Sequence, residues 1–339
     1  MTTTLVLGGT AWLGGEIARA AVRRGHEVTC LARGVAGTPP SDVRWVQAER
    51  DLPDAYDAVR DQDWDDVLDV SWQPAQVRSA LAALGARARH WTYVSSCSVY
   101  ADHSVVDADE AAALLPALDA DHAEREQYGE AKVACELLCQ AAVGDRLLLA
   151  RSGVIGGYGD LSDRFGYWVG RFALARRDGG QVLLPDADDL PTQAIEVHDL
   201  ADWLVRMGET GTVGAMNVVG ERRPLGEVLA VAREVSGFDG PDTEERIVRV
   251  PSTWLLDEGV EEYMGPRSLP LWMVDPEWAG FSARNGDRAM AAGLTHRPLR
   301  DLMTDSLRWE DELGLERDRR AGLTRAEEQE LLRRWASRD

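Results

Sequence analysis

The tightest constraint on this chain lies near its start. Leu5-Val6-Leu7 reads as a short apolar strand, and Gly8-Gly9-Thr10-Ala11-Trp12-Leu13-Gly14-Gly15 follows it. A helical pattern then runs from Glu16 to about Arg24 and ends at Gly25. A strand that passes through a glycine turn into a helix is the setting a dinucleotide fingerprint requires. One glycine permits the tight turn, another lets helix and strand approach, and N–H groups at the helix start hold a pyrophosphate. Gly8 and Gly14 take the two glycine roles, and Ala11 stands where a further glycine is usual. Gly8, Gly9, Thr10, Ala11, Trp12, Leu13 and Gly14 are therefore expected to line a cofactor.

The pattern repeats along the first half of the chain. Strand-like runs occur at Glu27–Leu31, Val43–Gln47, Val67–Ser71 and His90–Val94, with a helix expected from Val77 to Ala88. Strands alternating with helices predict a parallel sheet with ligands at the carboxyl ends of its strands. The fold class is thus α/β: a Rossmann-type doubly wound parallel sheet with a smaller C-terminal substrate domain. At the end of the second strand an acid would bind a ribose 2′-hydroxyl, but Ala32 and Arg33 stand there. A cation without a carboxylate suits a 2′-phosphate, so NADP(H) is the expected cofactor and NAD(H) the alternative. Glu49 is placed to meet the adenine amino group. Asp69, Val70, Ser71 and Ser95 fall at strand ends and are further expected cofactor contacts.

Of the 37 basic residues, Lys132 is the only lysine, and it lies four residues after Tyr128. Residues i and i+4 share one face of a helix. An ammonium beside a phenol favours loss of its proton, which is what a tyrosine acting as a general acid at a carbonyl needs. Arginine, with its fixed charge and planar fork, does not replace a compact lysine in that role.

Three segments together resemble the extended short-chain dehydrogenase/reductases, the superfamily of the NAD-dependent epimerases and dehydratases. They are Gly-Gly-Thr-x-x-Leu-Gly at 8–14, Ser-Ser-x-x-Val-Tyr at 95–100 and Tyr-x-x-x-Lys at 128–132. Leu149–Gly157 and Ile195–Ala201 extend the similarity, which covers about residues 4–310. The resemblance implies that Ser96, Tyr128 and Lys132 are catalytic. Ser96 would hydrogen-bond the substrate oxygen, Tyr128 would move the proton, and Lys132 would bind the nicotinamide ribose. Ser152 and Val154 would complete the cofactor site. Sugar dehydratases of this family carry an Asp-Glu pair directly after the serine or threonine; Cys97-Ser98 stands here, which argues against dehydration.

The expected divisions are residues 1–155 with parts of 190–220 as the dinucleotide domain, 156–190 with 221–318 as the substrate region, and a C-terminal helix over 319–339. Ser98, Phe165, Tyr167, Trp168 and Trp272 are the candidate substrate contacts. Where the family's epimerases use an arginine to grip a nucleotide diphosphate, this chain has Thr192, just after Asp186, Asp188 and Asp189. Three acids make a poor diphosphate cradle, although Arg164, Arg171 or Arg267 could compensate. The leading reading is an NADP(H)-dependent oxidoreductase acting on a small, mostly neutral carbonyl or alcohol. A sugar or nucleotide-sugar epimerase is the alternative, and a non-catalytic dinucleotide sensor the second.

The net charge of −21 excludes nucleic acid and anionic membrane as partners. There is no run of 18 apolar residues, and the N-terminus does not read as a signal peptide. Cys30, Cys97, Cys135 and Cys139 lack zinc or disulfide spacing. A cytoplasmic protein is expected. A homodimer, if formed, would pair through the helices at 77–88 and 126–142.

Overall fold

The aliphatic runs of the first half become parallel strands that are largely buried on both faces, apart from the exposed edge strand Arg44–Gln47. In the computed structural model, which describes residues 1–338, these are β1 (Thr3–Leu7), β2 (Glu27–Ala32), β3 (Arg44–Gln47), β4 (Trp64–Asp69), β5 (Ala88–Ser96) and β6 (Leu147–Ser152). With the strand Gly214–Val218 they form one seven-stranded sheet in the order Gly214–Val218, β6, β5, β4, β1, β2, β3. Every pairing in it is parallel. The order reverses beside β1, whose Leu7 is in register with Leu31 on one side and Asp69 on the other. This is a Rossmann-type doubly wound sheet, and ligands enter such sheets at the carboxyl ends beside that reversal.

Helix α1 (Trp12–Arg23) packs with the helix Val197–Thr210. Helices α2 (Pro74–Leu84) and α3 (Tyr128–Val143) pack with each other. Leu5, Leu7, Val67, Trp91 and Tyr93 of the sheet share a core with Val77 and Leu81 of α2 and with Cys135 and Cys139 of α3. This unit comprises residues 1–153, 197–219 and 284–295. The return of 284–295 to it has no signal in the sequence.

The second unit comprises residues 154–196, 220–283 and 296–339, of which Asp339 lies outside the described residues. It holds a three-stranded sheet ordered Arg222–Pro224, Pro191–Glu196, Val154–Gly156, and a parallel pair, Val182–Asp186 with Ile247–Pro251. The helices Tyr167–Asp178, Leu225–Val235 and Leu299–Leu313 enclose its core. Phe165, Trp168, Phe172 and Trp272 are central to that core.

Several element boundaries differ from the sequence reading: the helix expected at Val77–Ala88 is Pro74–Leu84, and Ala88 opens the strand Ala88–Ser96. Helix α1 starts at Trp12 rather than Glu16, because Gly14 and Gly15 are helical. They read as loop residues, yet at Gly14 a Cβ would run into the Gly8 carbonyl oxygen, so glycine is needed there. The last helix is Arg325–Ala336, opened by a capping box between Thr324 and Glu327, and does not begin at residue 319. Its Glu328 is 1 % exposed and pairs with Arg171 and Arg325, so this helix is part of the second unit's core. Among the described residues, no helix is long and apolar enough to cross a membrane.

Candidate functional site

The glycine turn between β1 and α1 has the form a bound pyrophosphate requires. Gly8 adopts φ +98°, a conformation that side chains with a Cβ rarely take, and a Cβ there would stand 2.6 Å from Val70 Cγ2. A Cβ on Gly14 would collide with the Gly8 carbonyl oxygen, so only glycine lets the first turn of α1 press against the end of β1. Ala11 caps the helix without a side-chain bond, and the first turn carries no acid. The positive end of the helix dipole there suits an anion. Thr10, Ala11, Trp12 and Leu13 are half-buried around this turn. The residues fit a dinucleotide pyrophosphate.

At the end of β2, Ala32 is buried and Arg33 is exposed. The Arg33 guanidinium lies 3.4 Å from Glu49 Oε2. The cation expected to meet a 2′-phosphate therefore already faces a carboxylate, which the sequence did not disclose. Trp45 Nε1 donates to the Ala32 carbonyl, 3.3 Å, and Gln47 donates to the Arg33 carbonyl, 3.0 Å.

At the end of β4 the acid expected beside a cofactor has partners within the protein. The Asp69 carboxylate, with no exposed surface, receives both arms of Arg50, at 2.8 and 2.7 Å, and also the Ser71 N–H, at 2.9 Å. Arg50 also donates to Tyr56 Oη and to the Gln76 carbonyl. The buried Asp69 carboxylate is thus engaged by Arg50 and Ser71 within the protein, and this pairing shapes the loop after β4. Leaving either charge unpaired in such a site typically costs about 3–5 kcal/mol. Val70 and Ser71 remain half-buried at the strand end, beside the glycine turn and the lysine respectively.

Lys132 is 3 % exposed. Its Nζ donates to the Val94 carbonyl at 2.6 Å and to the Ser71 carbonyl at 3.0 Å, and it lies 4.7 Å from the Tyr93 ring and 5.8 Å from the Tyr128 ring. Tyr93 Oη donates to the same Ser71 carbonyl, 3.0 Å. An ammonium held by two carbonyls and flanked by two aromatic faces is satisfied without a carboxylate. Tyr128 opens α3 and is half-buried.

Ser96 ends β5 two residues beyond Val94, so the strand that holds the lysine also presents the serine. Its Oγ donates to Ser98 Oγ and accepts from the Ser98 N–H, both 3.1 Å. In this state the Ser96 hydroxyl faces Ser98 rather than Tyr128. Ser95 is 1 % exposed, and Ser152 Oγ donates to its carbonyl at 3.2 Å. Val154 is buried in the second unit, in the strand Val154–Gly156.

The aromatic residues expected at the substrate are core residues of the second unit. Phe165, Tyr167, Trp168 and Trp272 are each at most 2 % exposed, and the Trp168 indole donates to the Pro270 carbonyl at 2.7 Å. With so little exposed surface, they serve the packing of that core rather than a ligand surface. Two residues that sequence reasoning passed over belong to the site. Trp72 sets its ring 5.6 Å from that of Tyr128, and Gly129 brings α3 against the turn at Ser98. A tryptophan just past a strand end, where ligands enter, was the available signal for the first.

No protein-family model matches this chain, and no curated protein matches it. Its fold does match solved structures. The UDP-Glc/GlcNAc 4-epimerase from Campylobacter jejuni is 13 % identical, with 92 % of this chain and 100 % of that chain covered and a TM-score of 0.67. For UDP-N-acetylglucosamine 4-epimerase from Bacillus cereus the values are 16 %, 93 %, 98 % and 0.65. For dTDP-glucose 4,6-dehydratase from Bacillus anthracis in complex with NAD they are 10 %, 92 %, 97 % and 0.61. At such identities the likeness is one of fold: these proteins share the Rossmann-type architecture of the epimerase and dehydratase superfamily that the motifs resemble.

Proposed function

We propose that this chain is a nicotinamide-dinucleotide-dependent oxidoreductase that interconverts a carbonyl and an alcohol on a small substrate, with NADP(H) as its preferred cofactor. The observation that carries the reading is the sole lysine, buried and held by the Val94 and Ser71 carbonyls one helical turn from Tyr128. The bound nicotinamide supplies or removes a hydride. Tyr128 gives a proton to the substrate oxygen in reduction and takes one in oxidation. Ser96 turns its hydroxyl from Ser98 towards that oxygen and orients it by a hydrogen bond. Lys132 stabilises the phenolate that remains when the proton leaves Tyr128. The residues from Gly8 to Gly14 with the N-terminus of α1 hold the pyrophosphate. Arg33 supports the NADP(H) preference, since no acid stands at the end of β2.

A mostly neutral substrate is supported by the second unit. Thr192 is 3 % exposed and donates to the Arg223 carbonyl at 2.9 Å. Arg171 is buried against Glu328, and Arg267 serves the Glu258 carbonyl. An epimerase acting on a nucleotide sugar is the second reading, favoured by what the structurally similar proteins act on. The two separate by cofactor turnover, because an epimerase reoxidises what it reduces and leaves NADP(H) unchanged. The test is consumption of NADPH with a panel of carbonyl compounds, alongside calorimetry with UDP, GDP and dTDP sugars on NADPH-loaded protein. Carbonyl-dependent consumption that Tyr128→Phe abolishes is the expected result. Micromolar sugar-nucleotide binding without net turnover would replace it with the epimerase, and cofactor binding with neither would leave a sensor.

A further inference from the structure

Tyr128 is the first residue of α3 and follows a short, exposed turn at Arg125–Gln127. Only that single exposed 3-10 turn precedes it, so the orientation of the phenol depends on contacts from outside α3. The loop after β4 is built to do this. Its Ser71 carbonyl accepts from Lys132 Nζ and from Tyr93 Oη. The Gln73 amide grips Ala123 twice, accepting from its N–H at 2.9 Å and donating to its carbonyl at 3.2 Å. The Ala75 N–H donates to the Asp121 carbonyl at 2.9 Å. Between these ties stands Trp72, half-buried, with its ring 5.6 Å from that of Tyr128 and inclined at 55°. One loop thus holds the lysine by a carbonyl and the tyrosine by an indole.

We propose that Trp72 is a positioning residue for Tyr128, fixing the phenol in the orientation from which it exchanges a proton with the substrate. The proposal rests on the reading of Tyr128 as the proton donor. An aromatic pair of this geometry shifts an orientational equilibrium by roughly two- to tenfold. A donor even slightly misplaced loses rate steeply. Because Ser71, Gln73 and Ala75 are tied without the indole, the loop keeps its course when Trp72 is replaced.

The test uses the full chain labelled with 3-fluorotyrosine, in which the Tyr128 fluorine resonance is assigned by its loss in Tyr128→Phe. In Trp72→Ala that resonance narrows as the ring gains motion, and in Trp72→Phe it keeps the wild-type width. In NADPH oxidation with 4-nitrobenzaldehyde, Trp72→Ala lowers kcat about tenfold, with KM and NADPH affinity within about twofold, and Trp72→Phe recovers most of the loss. An unchanged line width in Trp72→Ala overturns the proposal, as does an unchanged kcat or a loss confined to KM or to NADPH affinity. A wild-type protein that turns over no carbonyl defeats the oxidoreductase reading instead, and the fluorine line widths then still decide whether Trp72 holds Tyr128.

Discussion

A Cβ on Gly129 would stand 2.5 Å from the Ser98 carbonyl oxygen and 2.6 Å from Leu115 Cδ1. Gly129 directly follows Tyr128, and Ser98 lies within the turn Cys97–Val99 that Ser96 caps. The absence of one methyl group therefore sets how near the tyrosine's helix comes to the serine's strand. Gly129→Ala should push α3 away from that turn while improving helix propensity by about 1 kcal/mol. Activity is expected to fall by about a hundredfold or more, through kcat, from misplacement of the proton donor. The check is steady-state kinetics beside a thermal melt; wild-type kcat in the alanine variant would show that the contact does not matter.

Lys132→Arg keeps the charge but not the geometry. A planar guanidinium cannot place one donor on the Val94 carbonyl and one on the Ser71 carbonyl within a space built for an ammonium. Extra volume in a packed site costs about 1–3 kcal/mol, so a folded but less stable protein is expected. Loss of the acid–base function should lower kcat/KM by about 10²–10⁴-fold. Turnover within threefold of wild type would remove Lys132 from the mechanism.

Cofactor choice turns on Arg33 and Glu49, which lie 3.4 Å apart. A charge-assisted hydrogen bond contributes roughly 1.5–3 kcal/mol. Arg33→Ala should weaken NADPH about ten- to a hundredfold and leave NADH unchanged. Glu49→Gln frees the guanidinium and should tighten NADPH relative to NADH. Titration by cofactor fluorescence measures both; equal NADPH and NADH affinities in the wild type would reverse the assignment.

Stability should fall as pH rises, through His90. Its Nδ1 lies 2.8 Å from an Asp66 carboxyl oxygen and its Nε2 2.8 Å from the Thr212 carbonyl, so both nitrogens face acceptors, an arrangement that favours the imidazolium. Burial works against that charge, but the hydrogen bond and charge of Asp66 outweigh it and raise the His90 pKa above 6.5. Burial also raises Asp66, with His90 offsetting part of the shift. A raised folded-state pKa stabilises fully below the unfolded value and ceases to do so as pH climbs through the folded one. The thermal midpoint should therefore decline as pH rises from about 6.5, the unfolded histidine value. The doubly substituted His90→Gln/Asp66→Asn protein should lack that decline. A flat wild-type profile would overturn the assignment of His90 as an imidazolium.

The sequence by itself determined the parallel sheet and the turn after β1. Apolar runs separated by helical patterns can leave water only as strands covered on both faces, and Gly8 and Gly14 meet steric demands local to one turn. It also marked Lys132, because one lysine among 37 basic residues is legible without coordinates. Where the charged and aromatic side chains ended was decided only by tertiary structure. Asp69 is paired with Arg50, 19 residues away, and Arg33 faces Glu49, 16 residues away. Phe165, Tyr167, Trp168 and Trp272 read alike in sequence whether a ligand or a core receives them, and here they meet a core. Trp72 and Tyr128 are 56 positions apart and become neighbours only when the loop after β4 is tied to the segment that leads into α3. Local sterics and periodicity are written within a few residues of chain. Ion pairs and ring contacts depend on distances that folding alone sets.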